Sequence, residues 1–287
     1  MIRQHSFENE MPTLYLVPTP IGNLSEMSPR AIEVLKSVDV IACEDTRTSG
    51  QLLKHFDIHS HLVAYHNFNE EASANGLVEL LKQGKNVALI SDAGYPLIND
   101  PGQRVVTLVS ENGFNVVPVS GPSAFLNALV ASGLIAQPFA FIGFLPQDHS
   151  GRVKKLKEYK DLPMTMIFYE APHRIEKCLR DCMDVFGNRK MVLVRELTKL
   201  HEEFIRGSID EILSICDELK GEMVIVMDGN HEDKNKAIDM SHIIKLVDEA
   251  IESGLSTKDA IKEVANQTGV KKNLVYDYYH NNNEKSS

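Results

Sequence analysis

The chain has 287 residues, 43% of them hydrophobic, enough to bury two modest cores and an appendage. Its 30 basic and 40 acidic residues leave a formal charge of −10, which excludes a general nucleic-acid coat and confines any RNA contact to a local basic patch. No window approaches the roughly 20 apolar residues of a membrane span, and the opening MIRQHSFENEMP lacks the apolar core and cleavage site of a secretory leader, so a cytosolic protein is expected.

Residues 1–12 carry no periodic pattern and are expected to be disordered. From Thr13 the chain alternates apolar strands with amphipathic helices. Thr13 to Val17, Val38 to Cys43, Leu62 to His66, Asn86 to Ile90 and Asn115 to Val119 read as strands, with helical patterns such as Ser28 to Lys36 and Glu70 to Lys82 between them. Parallel strands need crossover connections, so this rhythm predicts a parallel sheet covered on both faces, over residues 13–125. Gly121-Pro122-Ser123 opens a further helix, Pro122 being tolerated in its first turn.

A second set, over 126–229, has strands at Phe139 to Leu145, Thr165 to Tyr169, Met191 to Glu196, Glu203 to Ile205 and Met223 to Met227. Helices are expected near Arg152 to Tyr159, His173 to Val185 and Ser208 to Leu219. Two strands almost touching around Thr198 to Glu203 suggest a hairpin, hence a mixed sheet. The expected architecture is two α/β domains with a cleft between them. From 230 onward His231 to Lys236 read as a polar linker. Ser241 to Ile251, Thr257 to Gln267 and Lys271 to Tyr279 follow as three short helices, with Ser256 or Thr257 as a cap and Gly269 at a turn. They resemble a helix-turn-helix, although such a tail can equally serve only as a packing arm.

The chemistry concentrates where strands end. Ser91 to Gly102, SDAGYPLINDPG, runs from a strand into twelve residues of turn formers and carboxylates, far more than the about 2–6 residues a plain connection needs. Open α/β sheets bind ligands in such loops. None of the 17 glycines has another two positions away, so neither a dinucleotide fingerprint nor a phosphate-binding loop is supported. The first strand is followed instead by Pro18-Thr19-Pro20-Ile21-Gly22-Asn23, a stiff loop whose Asn23 offers both donor and acceptor. Cys178 and Cys182 lie four apart without a second ligand pair, so no metal site is expected. Charges cluster at three strand ends: Glu44, Asp45 and Arg47; Glu170, His173 and Arg174; Arg195, Glu196 and Lys199. Arginines there suit phosphates, and Asp45, Glu196 or Lys199 could orient or deprotonate a hydroxyl. Arg152, Lys154, Lys155 and Lys157 add a basic stretch that is either a solubilising helix face or an RNA contact.

Several of these segments resemble one family in sequence and in order. They are LVPTPIGNLSEMSPRA (Leu16 to Ala31), ACEDTR (Ala42 to Arg47), the loop Ser91 to Gly102, VSGPSA (Val119 to Ala124), FIGFLP (Phe141 to Pro146), FYEAPHR (Phe168 to Arg174), VRELTKLHEEF (Val194 to Phe204) and GEMVIV (Gly221 to Val226). The chain is similar to the ribosomal RNA small subunit methyltransferase I family, a branch of the tetrapyrrole methylase superfamily. Where the superfamily has GDP this chain has Gly94-Tyr95-Pro96, so tetrapyrrole-binding residues do not carry over.

The resemblance implies two α/β domains of the tetrapyrrole methylase type, S-adenosyl-L-methionine folded in the cleft, and a small C-terminal helical extension. It further implies 2′-O-methylation of a cytidine ribose in 16S rRNA of the small ribosomal subunit, and a homodimer. Its implied cofactor-binding set is Pro18, Asp92, Ala93, Gly94, Leu97, Ser120, Ser123, Ala124, Tyr169, Glu170, Ala171 and Leu197. Asn23, Arg47, His173, Arg174 and Arg195 are expected to hold the substrate, with Asp45, Glu196 and Lys199 as catalytic candidates. A methylase of a tetrapyrrole or other small molecule is the enzymatic rival, and an RNA-binding module with a vestigial cofactor site the non-enzymatic one.

Overall fold

A computed structural model describes residues 2–65, 70–231, 240–268 and 270–283. By its contacts the chain divides into two units, Met1–Asn230 and His231–Ser287.

The first unit carries two five-stranded sheets. One contains β1 (Thr13–Val17), β2 (Val40–Cys43), β3 (His61–Ala64), β4 (Val87–Ile90) and β5 (Asn115–Pro118) in the order β3-β2-β4-β1-β5, all parallel. The central strands β2 (VIAC) and β4 (VALI) are apolar throughout because both their faces are covered. Helices α1 (Pro29–Ser37) and α2 (Thr46–His55) place Ala31, Leu35 and Leu53 on one face; α3 (Glu70–Lys82) and α4 (Gln103–Glu111) place Leu77, Leu81, Val105 and Val109 on the other. The neighbours β1 and β4 thus send their chains to opposite faces, which opens a crevice at their carboxyl ends, the usual ligand position in such sheets. Among the described residues ahead of β1 there is neither helix nor strand. Gln4 nevertheless bonds the Val116 N–H and C=O, each at 2.9 Å, a fixed partner that a patternless lead does not announce.

After α5 (Ala124–Ser132) come β6 (Phe139–Phe144), α6 (His149–Tyr159), β7 (Thr165–Glu170), α7 (Ile175–Phe186), β8 (Lys190–Arg195), β9 (Glu203–Ser208), α8 (Ile209–Leu213) and β10 (Met223–Met227). The order is β6-β7-β10-β8-β9, with β6 and β7 parallel and every other pair antiparallel, so the sheet is mixed. Helices α6, α7 and α8 bury Leu156, Leu179 and Ile212 against one face, while Ala128 and Leu129 of α5 pack on the other.

Several expected boundaries move, two of them for reasons the structure shows. The helix expected from Ser208 to Leu219 is only α8 plus one 3-10 turn at Cys216–Glu218. A capping box between Ser208 and Glu211 starts it, and the Ser214 hydroxyl donates back to the Glu211 carbonyl (2.6 Å) at its end. Strand β9 continues to Ser208 because Arg206 and Gly207 pair with Val192 and Met191, polar residues that conceal the strand in the sequence.

The second unit consists of α9 (Met240–Glu252), α10 (Thr257–Thr268) and α11 (Lys272–Asn283). Ile243, Val247, Ile261, Val264, Val275 and Tyr279 form a core of its own, and the Tyr279 hydroxyl donates to Asp248 at 2.8 Å. At about 1.5–3 kcal/mol for each fully buried large apolar side chain, three helices suffice to close it. Residues 232–239, which hold most of the expected linker, and Gly269 lie outside the described residues, as does His66 at the end of the expected third strand.

Candidate functional site

The loops after β1 and β4 are stitched together. Thr19 and Gly94 exchange two backbone hydrogen bonds (2.9 and 3.0 Å), and the Thr19 hydroxyl donates to the Ser91 carbonyl at 3.0 Å. Gly94 has φ 78°, a backbone conformation that side chains resist. Tyr95 then reaches the start of the next helical segment, its hydroxyl accepting from the Gly121 N–H (2.9 Å). Cross-loop hydrogen bonding therefore holds the β4 loop in place.

These loops wall a cavity of about 350 Å³, within the size range of small-molecule sites. Asp92, Ala93 and Gly94 enter from the β4 loop, Ser123 and Ala124 from the start of α5, Tyr169, Glu170 and Ala171 from the end of β7, and Leu197 from beyond β8. The other expected cofactor residues do not line it. Pro18 is buried beneath Gly121, where a Cβ would sit 2.5 Å from Pro18 Cγ; Leu97 (φ 74°) turns to pack with Leu89 around Gly102; Ser120 is exposed outside the lining.

Electrostatics mark out the acidic side. Burial raises the Asp100 carboxyl to about 6, aided by Glu44 and Asp92. Burial and the Asp45 charge also raise Asp92, against a hydrogen bond from the Asp45 backbone N–H. Among the described residues no cation offsets either carboxyl. Across the cavity Tyr169, pushed up to about 12 chiefly by burial, accepts from the Phe125 N–H at 3.2 Å. Ser123 precedes α5 without capping it, which leaves its hydroxyl for the cavity.

Glu170 is fully buried. It accepts from the Ala171 N–H (2.8 Å), and Arg174 Nη2 donates to it (3.2 Å) and to the Leu145 carbonyl (3.0 Å). Arg174 Nε lies 3.0 Å from Glu170 Oε1, in ion-pair contact but off the line of a hydrogen bond. The third charge cluster closes on itself: Glu196 Oε1 accepts from Lys199 Nζ (3.2 Å) and the Glu222 N–H (3.1 Å), while Lys199 Nζ also donates to Glu222 Oε2 (2.9 Å). Glu196 and Thr198 have φ 49° and 68°, and the Lys199 chain fills the space a Cβ on Gly22 would need. The loops after β1 and β8 therefore meet at Lys199.

The expected substrate and catalytic residues divide. Asn23 and Asp45 cap the starts of a 3-10 turn and of α2, accepting from the Ser25 and Arg47 N–H groups. Arg47 is exposed and folds back on Asp45; Arg195 pairs with Glu203 and donates to the Lys220 carbonyl. His173 and Arg174 line a separate cavity. Hydrogen bonds from Arg47 hold Asp45 below the usual carboxylate range, and those from Lys199 do the same for Glu196. Burial works against the Lys199 charge, yet its bonds to Glu222 and Glu196 outweigh it and raise the amine. Those directions weaken Asp45 and Glu196 as proton acceptors and keep Lys199 charged.

In the basic stretch Arg152 is buried, donating to Asp181 (2.6 Å) and to the Gln147 carbonyl (3.0 Å), so it belongs to the fold and not to an RNA face. Sequence reasoning missed Asp100 and Phe144 in the cavity wall. Asp100 lay within the conspicuous loop but read as a turn former. By alternation Phe144 is out of phase with Phe139 and Phe141, but a bulge between Phe141 and Gly143 (φ 74°) brings it onto their face, where the three pair with Thr165, Ile167 and Tyr169.

Comparison with known proteins agrees with this geometry. The model of the Tetrapyrrole (Corrin/Porphyrin) Methylases matches residues 13–213, and that of the RsmI C-terminal HTH domain matches residues 243–282. Ribosomal RNA small subunit methyltransferase I of Bacillus subtilis (strain 168) is 44% identical, with 97% of this chain and 98% of the relative covered. Its namesake in Escherichia coli O157:H7 is 43% identical over 96% and 98%. The crystal structure of uroporphyrin-III C-methyl transferase from Thermus thermophilus complexed with S-adenyl homocysteine has the same fold, with a TM-score of 0.55, 17% identity, and 76% of this chain and 97% of that one covered. A stitched crevice between two α/β halves, followed by a separate helical unit and matched almost end to end, makes this chain a member of the ribosomal RNA small subunit methyltransferase I family of tetrapyrrole methylases.

Proposed function

We propose that this protein methylates the ribose 2′-hydroxyl of a cytidine in the 16S rRNA of the small ribosomal subunit, with S-adenosyl-L-methionine as donor. The observation that carries the reading is the nearly full-length likeness to relatives named for this activity, together with a cavity whose chemistry suits that donor. The donor supplies an electrophilic methyl group on a sulfonium cation.

Asp92 and Asp100, raised by burial and by neighbouring carboxylates, give the acidic side of the cavity a preference for a cation. Ile21, Phe125 and Val224 give apolar cover, and the uncommitted Ser123 hydroxyl suits a ribose diol. Ala93, Gly94 and Ala171 complete the lining. Held this way, the donor needs mainly the incoming hydroxyl in line with it, and alignment alone can supply much of the rate. Lys199 tethers the loops after β1 and β8 and thereby fixes one edge of the site. Asp100, with its raised carboxyl, is better suited than Asp45 or Glu196 to take the hydroxyl proton.

No helix among the described residues is long and apolar enough to cross a membrane. A cytoplasmic site of action and a homodimer complete the proposal. The dimer is supported by Leu126 and Val130, one helical turn apart on α5 and 45% and 68% exposed, with Ile135 and Phe139 also exposed just beyond that helix. The test is methyl transfer from labelled donor to purified small subunits, followed by mapping of the modified nucleotide. Label found on a base, or none in RNA, would refute the reading.

A further inference from the structure

A second, larger cavity of about 720 Å³ adjoins the first, and Phe144 and Ala171 line both. Its remaining wall differs in chemistry from the cofactor side. Phe144 is 56% exposed, and Tyr169 stands edge-on behind it (centroids 5.6 Å apart, 67° between planes), so the outer face of the ring is presented and braced. The exposed His173 ring and the Gln147 amide line the same space. Two cations complete it: Lys155, and Arg174 with its guanidinium pinned by Glu170 and the Leu145 carbonyl. The floor is rigid, since the buried Arg152 holds the Pro146 and Gln147 carbonyls (3.3 and 3.0 Å).

An open aromatic face, an amide with both donor and acceptor, and cations at the margin are the equipment for an unstacked nucleotide of single-stranded RNA. A purely apolar guest would leave the Gln147 amide unanswered, and a bare phosphate would have no use for Phe144; Lys155, which meets Glu158 at 2.7 Å, keeps further donors for a phosphate. We propose that this cavity is the nucleotide subsite: the target base, swung out of its stack, lies on the Phe144 ring with its edge toward the Gln147 amide and its phosphate toward Lys155. Its ribose then comes to the wall shared with the cofactor cavity, beside Ala171. Phe144 becomes the residue that joins recognition of the base to delivery of the hydroxyl. The inference rests on the proposed function and deepens it.

The test measures kcat and KM with purified small subunits and, separately, the Kd of S-adenosylmethionine by calorimetry, for the wild type, Phe144→Leu, Phe144→Tyr and Gln147→Ala. Since Phe144 is exposed, leucine there leaves the fold intact. Loss of stacking should raise KM for the subunit at least about tenfold in Phe144→Leu, more than it weakens cofactor binding, with Phe144→Tyr restoring KM and the cofactor Kd of Gln147→Ala, which stands outside the cofactor cavity, within about twofold of the wild type. Gln147→Ala should raise KM less. A wild-type enzyme that transfers methyl groups while Phe144→Leu is unimpaired, or in which cofactor affinity falls as far as KM rises, overturns the subsite alone. A wild type that transfers nothing to ribosomal RNA overturns the proposed function and the subsite with it.

Discussion

Asp100 illustrates how one side chain can serve a site at the expense of the fold. Its carboxyl is raised from the ordinary 3.8 to about 6 by burial and by Glu44 and Asp92. Well below pH 3.8 the group is protonated whether the chain is folded or not. Between about 4 and 6 the unfolded chain gives up its proton first, so the folded state holds more protons and stability falls as pH rises; above about 6 the penalty is constant. Asp100→Asn should therefore melt at nearly the wild-type temperature at pH 4 and roughly 2–4 °C higher at pH 7, a range discounted for the half exposure of the group. A calorimetric pH series checks it, and a constant difference at all pH values would refute it. Arg174 works in the opposite sense. Glu170 is fully buried, so Arg174→Ala leaves it a charge without its partner and should cost about 3–5 kcal/mol in urea unfolding.

At the scale of loops and strands, the hydrogen bonds between Thr19 and Gly94 make the β4 loop part of the sheet instead of a free connection. A valine at Gly94 would have to adopt φ 78°, although only ordinary contacts wait for its Cβ, 3.5 Å from Ile21. Gly94→Val should accordingly shift this loop without unfolding the unit, and calorimetry should find S-adenosylmethionine affinity at least about tenfold weaker; unchanged affinity would remove the loop from the site. The strands β1 and β10 and the helix α3 were legible to the residue because their apolar runs end at clear turn formers. Less could be read where pairing uses polar residues, as at Arg206 and Gly207, or where a bulge re-aims a side chain, as at Phe144. The loop containing the site could be recognised from its length and carboxylates. What each carboxylate does could not, because Asp45 and Asp100 look alike in sequence and differ only in which donors surround them.

For the whole molecule, the decisive observation is that the helices after Asn230 close a core of their own. A protein ending at Asn230 should keep its melting transition within about 2 °C and its cofactor affinity unchanged, since a unit with its own core takes little stability with it. Lys262, Lys271 and Lys272 lie in the removed unit with the half-exposed Tyr276 and Tyr278. Truncation should thus weaken binding to small subunits and flatten its dependence on salt, because phosphate contacts release counterions. Equal affinity and salt slope with and without the helices, together with a lowered melting temperature, would make them a stabilising arm instead.

The two uncompensated carboxyls bear on turnover as well as on capture. Methyl transfer turns a positively charged guest into a neutral thioether, so the attraction to Asp92 and Asp100 ends with the reaction. A cavity with these groups ionised grips the fresh donor and loosens its hold on the spent one. Product inhibition should therefore be weak at neutral pH and grow as acid protonates Asp100, which makes the same acidic wall both the lure for the donor and the means of clearing the site.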